Sequence, residues 1–217
     1  MAKKLTIKGI TFPDFGDDKS KKNFRLVFYI GYTDKDGKAN VAVISKPASG
    51  HWQWRSANKD AYLKPKIVGD SAVLDTLVLQ MGDGKKIAPG SDSIGEIDGE
   101  ITGVNVQFMD VHDSTLVDFF VKTVLPDLIN AWKTSGLNPI DSAPIPGGIK
   151  ILLKDKIDLA QLADKSVAFF TKKLKDKVLN SISQTYNGGT EIDLTEKDVP
   201  WGNKGKKGTY AVTIGVA

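Results

Sequence analysis

The chain predicts an antiparallel β-sandwich carrying a two-helix insertion, and three observations lead to that class. Runs with two-residue apolar alternation recur from Leu5 to Val216, and Asp-Gly, Asn-Gly-Gly and Pro-rich turns separate them. Near residues 114–184 the period changes to that of amphipathic helices. With 217 residues, 41% of them hydrophobic, the chain can bury one substantial core. Residues 1–217 are therefore read as a single sandwich domain of roughly 8–9 strands, with 114–184 as a helical insertion within it.

In order along the chain, Leu5, Ile7, Ile10 and Phe12 open a strand that ends at Pro13. Phe24 to Tyr32 is dense in aromatic and β-branched residues, with Phe24, Leu26, Phe28 and Ile30 on one face. Thr33 to Lys38 is a turn, its Asp36-Gly37 dipeptide a hairpin signal, and Ala39 to Ile44 returns as the partner strand. Asp34, Asp36 and Gly37 also have the spacing that opens a calcium loop, but no glutamate closes it, so the turn is the preferred reading. Lys66–Gly69 and Val73–Met81 supply further strands, the second apolar on both faces as a central strand beneath the insertion would be. Ile94 to Gln107 alternates into another strand.

The first helix is capped by Asp113 or Ser114, carries Leu116, Phe119, Phe120, Val124, Leu128 and Trp132 at helical spacing, and stops at Gly136. Pro126 lies inside it and should kink or break it. Pro139, Pro144 and Pro146 stiffen a connector, and Ile149 to Leu153 adds a short strand. Asp158, with Gln161 three residues on, caps the second helix, whose apolar side is Leu159, Leu162, Ala163, Val167, Phe170, Leu174 and Val178. Ile192–Leu194 is a brief strand, Trp201 to Gly208 a basic loop, and Tyr210, Val212, Ile214 and Val216 close as an alternating strand.

Composition excludes several chemistries. There are no cysteines, so disulfides, thiolate metal sites and a Cys nucleophile are ruled out. A net charge of +4 is too small for a dedicated nucleic-acid binder. Met1 to Leu5 leads straight into a strand pattern without the apolar run of a signal peptide, and no apolar stretch of about 20 residues exists for a transmembrane helix. A soluble protein is expected, and the compartment is left open.

Four sets of residues could carry function. Trp52 and Trp54, two apart, project to one side of an extended segment, where they could stack on a sugar together with Tyr62, touch a lipid surface, or cap the core. Lys172, Lys173, Lys175 and Lys177 cluster late in the second helix and form either an anion-attracting or a merely solvated face. The 202–208 loop lacks the spacing of a phosphate cradle. His112, between Asp110 and Asp113, is the one cluster with catalytic or metal potential.

Ser91 to Glu96 and Val104 to Asp113 resemble fragments of C2 domains, β-sandwiches whose loops bind calcium and membranes. The resemblance implies Asp110 and Asp113, with Asp92, as calcium ligands, although the family's Asp-x-Asp spacing is replaced here by a spacing of three. Three functional readings follow. The leading one is a non-enzymatic binding protein, membrane-interacting or toxin-like, that meets a lipid surface or a protein partner. The second is a carbohydrate-binding module that takes a glycan on Trp52 and Trp54. The third is a hydrolase built on His112 and neighbouring carboxylates.

Overall fold

The computed structural model describes residues 1–13, 22–47, 52–54, 66–68, 71–74, 92–111, 125–134, 139–145, 148–154, 158–174, 177–201 and 205–217. Two antiparallel sheets stack face to face. The six-stranded sheet contains β1 (Lys3–Pro13), β5 (Lys66–Val68), β6 (Ser71–Leu74), β7 (Ser93–Ile97), β12 (Glu191–Trp201) and β13 (Lys206–Val216). Its order is β12-β13-β1-β6-β5, and β7 pairs with the first half of β1. The seven-stranded sheet runs β11 (Lys177–Thr185), β8 (Glu100–Asp110), β2 (Lys22–Thr33), β3 (Ala39–Lys46), β10 (Gly148–Leu153), β9 (Pro139–Ile145), with β4 (Trp52–Trp54) paired to the start of β2.

Leu5, Ile7, Ile10 and Phe12 of β1 and Tyr210, Val212 and Ile214 of β13 meet Leu26, Phe28 and Ile30 of β2 and Val104, Val106 and Phe108 of β8 between the sheets. The six-stranded sheet turns its other face to solvent, which is why β1 and β13 alternate so cleanly. The seven-stranded sheet is buried on both faces. Val27, Tyr29, Val41, Val43, Met109 and Ile151 point away from the first core into a second one, roofed by helices α1 (Leu125–Thr134) and α2 (Leu159–Leu174). Burial on both faces explains the near-continuous apolar run in β2.

Helix α1 buries Leu125, Leu128, Ile129 and Trp132, at the three- and four-residue spacing of one helical face. Their transfer from water contributes roughly 6–12 kcal/mol gross. Pro126 sits in the first turn of the described helix, where its missing N–H costs nothing. Residues 112–124, to which the predicted first half of this helix belongs, lie outside the described residues. In α2, Leu162, Ala163, Ser166 and Phe170 are buried, and the Asp158 carboxylate caps the helix by accepting the Ala160 N–H at 2.8 Å.

Polar groups cross this second interface. The Tyr29 hydroxyl donates to Gln107 Oε1 at 3.0 Å, and Gln107 Nε2 donates to the Ala163 carbonyl at 2.8 Å. Ser166 Oγ donates to the Leu162 carbonyl at 2.8 Å, and burial pushes the Tyr29 phenol well above its ordinary value. Leu159 rests over Gly31 and Gly103, which face each other across β2 and β8.

The sandwich with its helical insertion is as expected, with four corrections. The described residues hold thirteen strands, not 8–9; among the additions, Trp52–Trp54 forms β4, Pro139–Ile145 forms β9 where a connector was predicted, Lys177–Thr185 forms β11 where the second helix was expected to end, and Ile94–Gln107 divides at Asp98-Gly99 into β7 and β8. Ser71–Leu74 lies in the six-stranded sheet, away from the helices; the strands beneath them are those of the seven-stranded sheet, β2, β3, β8, β9, β10 and β11 among them. The second helix ends at Leu174, so Val178 packs on the helical layer from β11. β12 runs to Trp201 where only Ile192–Leu194 was expected. Neither described helix is long and apolar enough to cross a membrane.

Candidate functional site

Trp52 is 1% exposed, with its ring 5.4 Å from Phe24, which in turn lies 5.2 Å from Phe12. The three rings pack one end of the inter-sheet core, so Trp52 offers no stacking face to a sugar or a lipid. Trp54 pairs with Lys22 in β4, and its side chain, like Tyr62 and His51, lies outside the described residues.

The lysine face predicted on one helix is divided. Lys172 is exposed on α2, whereas Lys177 is exposed at the start of β11. Lys173 belongs to α2 but its side chain is outside the described residues, as is all of Lys175.

Asp110 ends β8 in register with Phe24 on one side and Lys177 on the other, and its charge helps to raise the Tyr210 phenol. Its proposed companions His112 and Asp113 lie outside the described residues. Asp92 precedes β7 and accepts the Ile7 N–H through its backbone carbonyl at 2.8 Å. Among the described residues no three His, Asp or Glu side chains converge to hold a metal ion.

The polar constellation that the fold does bring together lies at the opposite end of β2. There β10 and β9 continue the seven-stranded sheet beyond β7, and side chains on its inner face come in two cross-strand rows. One row is Ala42, Lys150 and Ala143; the other is Asn40, Leu152 and Asp141. Along each row exposure rises from buried Ala42 and Asn40 through half-buried Lys150 and Leu152 to exposed Ala143 and Asp141. The result is a groove, made of a cleft of about 300 Å³ and a neighbouring one of about 210 Å³ with Lys150 in the wall of both.

The β2–β3 turn supplies one wall. Asp34 Oδ1 accepts the N–H groups of Asp36 and Lys38 at 3.0 and 2.9 Å, and Oδ2 accepts Asn40 Nδ2 at 2.9 Å. The spacing that resembled a calcium loop is thus a hydrogen-bonded turn, with Gly37 at φ 76 completing it. The Lys38 N–H above all, helped by Asn40, Asp36 and the Lys150 charge, holds the Asp34 carboxyl below its usual value.

The opposite wall comes from Glu96, Ile97 and Asp98 at the end of β7, and Ile145 adds an apolar edge. On the floor, Lys150 Nζ stands 5.8 Å from the centre of the Tyr32 ring. Burial, then the charges of Asp34 and Asp98, push the Tyr32 phenol up to about 12. Around an aromatic face the groove therefore gathers five carboxylates, Asp34, Asp36, Glu96, Asp98 and Asp141, and three lysines, Lys35, Lys38 and Lys150.

None of the described residues predicted as sites, Trp52, Asp110, Lys172 and Lys177, lines this groove. The Asp98-Gly99 dipeptide was the available signal: it carries the same hairpin mark as Asp36-Gly37 and places a second acidic turn beside the first. No protein-family model, curated protein or solved structure matches the chain.

Proposed function

We propose that this is a non-enzymatic binding protein whose ligand surface is the groove between the Asp34 turn and the end of β7. The single observation that carries the reading is a strip of inner sheet face that no described residue covers, on which charged side chains alternate with Ala42, Ala143 and Leu152 along three hydrogen-bonded strands. Two of the features that motivated a lipid-facing surface have internal uses: the buried faces of α1 and α2 lie on the sheet, and Trp52 is in the core.

Binding through a floor of fixed strands needs little reorganisation, which suits recognition by a preformed site. An NMR titration of the full chain with a basic peptide, an acidic peptide, an oligosaccharide and anionic vesicles tests the proposal. Amide shifts confined to Asp34–Asn40, Glu96–Asp98 and Lys150 are expected from at least one of them. Shifts that fall only elsewhere, or none at all, would reject the groove as the ligand surface.

A further inference from the structure

We infer that Asn187 is a site of spontaneous covalent modification: in the folded protein its side-chain amide is attacked by the backbone nitrogen of Gly188, and the residue becomes a mixture of aspartate and isoaspartate.

Three observations lead to it. First, Asn187-Gly188-Gly189 lies in the crossing from β11 of the seven-stranded sheet to β12 of the six-stranded one, and all three residues are exposed. Secondly, hydrogen bonds hold both ends of the crossing but not its middle. The Tyr186 N–H donates to the Thr102 carbonyl at 3.1 Å, the Tyr186 hydroxyl to the Gly189 carbonyl, and the Val216 N–H to the Thr190 carbonyl at 2.7 Å. Between these anchors, no described residue accepts the Gly188 N–H or bonds the Asn187 side-chain amide. Thirdly, Gly188 has φ 96, and a Cβ there would meet no atom within 4 Å, so the attacking nitrogen is unshielded.

The chemistry needs only water. The Gly188 nitrogen gives up its proton to solvent base and bonds to Asn187 Cγ; the Cγ–Nδ2 bond breaks, and the amide leaves as ammonia, closing a succinimide. Water then opens the ring. Attack at Cγ yields aspartate, and attack at the main-chain carbonyl yields isoaspartate, whose chain runs through the side chain and is longer by a methylene. Either product replaces a neutral amide by a carboxylate, so the net charge of +4 falls by one. The anchors confine the added methylene to the crossing, and both sheets keep their register.

Other described positions lack this combination. Asn23, Asn40, Asn105 and Asn180 lie in strands and Asn130 in a helix, and each is followed by a residue that carries a Cβ. In Asp36-Gly37 the glycine N–H is tied to the Asp34 carbonyl at 3.0 Å.

The full chain should be incubated, folded and in urea, in mildly alkaline buffer made with oxygen-labelled water, then digested and read by mass spectrometry with a fragmentation that separates isoaspartate from aspartate. In the folded chain Asn187 should gain one labelled oxygen at least about tenfold faster than any other asparagine, and within about tenfold of its own rate in urea. A rate outside either bound overturns the inference, the second because it would mean that the fold protects the site. Gly188→Ala, whose methyl crowds the attack, should slow conversion at least about tenfold, and undiminished conversion in that variant overturns the succinimide route. Should Gly188→Ala lose the dispersed amide spectrum of the fold, the folded-against-urea comparison in the wild type decides alone.

Discussion

At the scale of single residues, Asp34 shows how one carboxylate can organise a turn. It accepts two backbone N–H groups and a buried amide, so Asp34→Ala removes three acceptor contacts at once. The variant should melt a few degrees below the wild type, by thermal denaturation followed with circular dichroism. The dependence on pH has a definite sign. A carboxyl held below its ordinary value stabilises the fold above that value and loses its contribution as pH falls through it. The gap between wild type and Asp34→Ala should therefore be full near neutrality and narrow from about pH 4 downward. The turn itself was legible in the Asp-Gly signal. The carboxylate's reach to Asn40, six residues on, was not, because it depends on the register of β3.

At the scale of elements, α2 is held by shape and by one polar link, and each can be tested alone. Gln107→Ala leaves the buried Tyr29 hydroxyl without its acceptor, which should cost about 1–3 kcal/mol in chemical denaturation. Hydrogen exchange should then rise more in α2 than in the other helix, since Gln107 bonds Ala163 of α2. Gly31→Val would meet the Leu159 side chain and Thr102 Oγ1 from 3.2 and 3.1 Å, and should cost about 1–3 kcal/mol by crowding the start of the helix.

The helical stripes from Leu128 to Trp132 and from Leu162 to Phe170 were readable from spacing, as was the Asp158 cap. The end of α2 was not. Val178 continues the helical period by coincidence, but Lys177 to Thr185 pairs along its whole length with β8, and that long-range ladder overrides a local pattern. In the same way Pro139 and Pro144 read as a connector because proline cannot serve a central strand, whereas β9 is an edge strand, where proline is tolerated.

For the whole molecule, buried tyrosines in both sheets decide the response to alkali. Tyr32 and Tyr210 are each pushed up to about 12, first by burial. Since the unfolded chain ionises its tyrosines near pH 10, the stability that these groups confer is complete below about pH 10 and is lost as pH rises through 12. The phenolate absorbance of Tyr32 and Tyr210 should appear late and together with loss of the fold, which Tyr→Phe difference spectra at these two positions would isolate. The sandwich class was legible because alternation and turn chemistry are local. The groove was not, since its walls come from residues 34–36, 96–98 and 141–152, and only sheet order makes them neighbours.

The sheet that is covered on both faces also sets the timetable of biosynthesis. Val27, Tyr29, Val41 and Val43 leave the ribosome well before Leu128, Trp132, Leu162 and Phe170, the side chains that will cover them. For that interval the nascent chain carries a sticky apolar sheet face, or the strands that will form one, with nothing to shield it. Chains stalled before Leu159 should be captured by a holdase chaperone, and chains released at full length should not. A protein with this architecture is vulnerable during its synthesis in proportion to how long its roof takes to arrive.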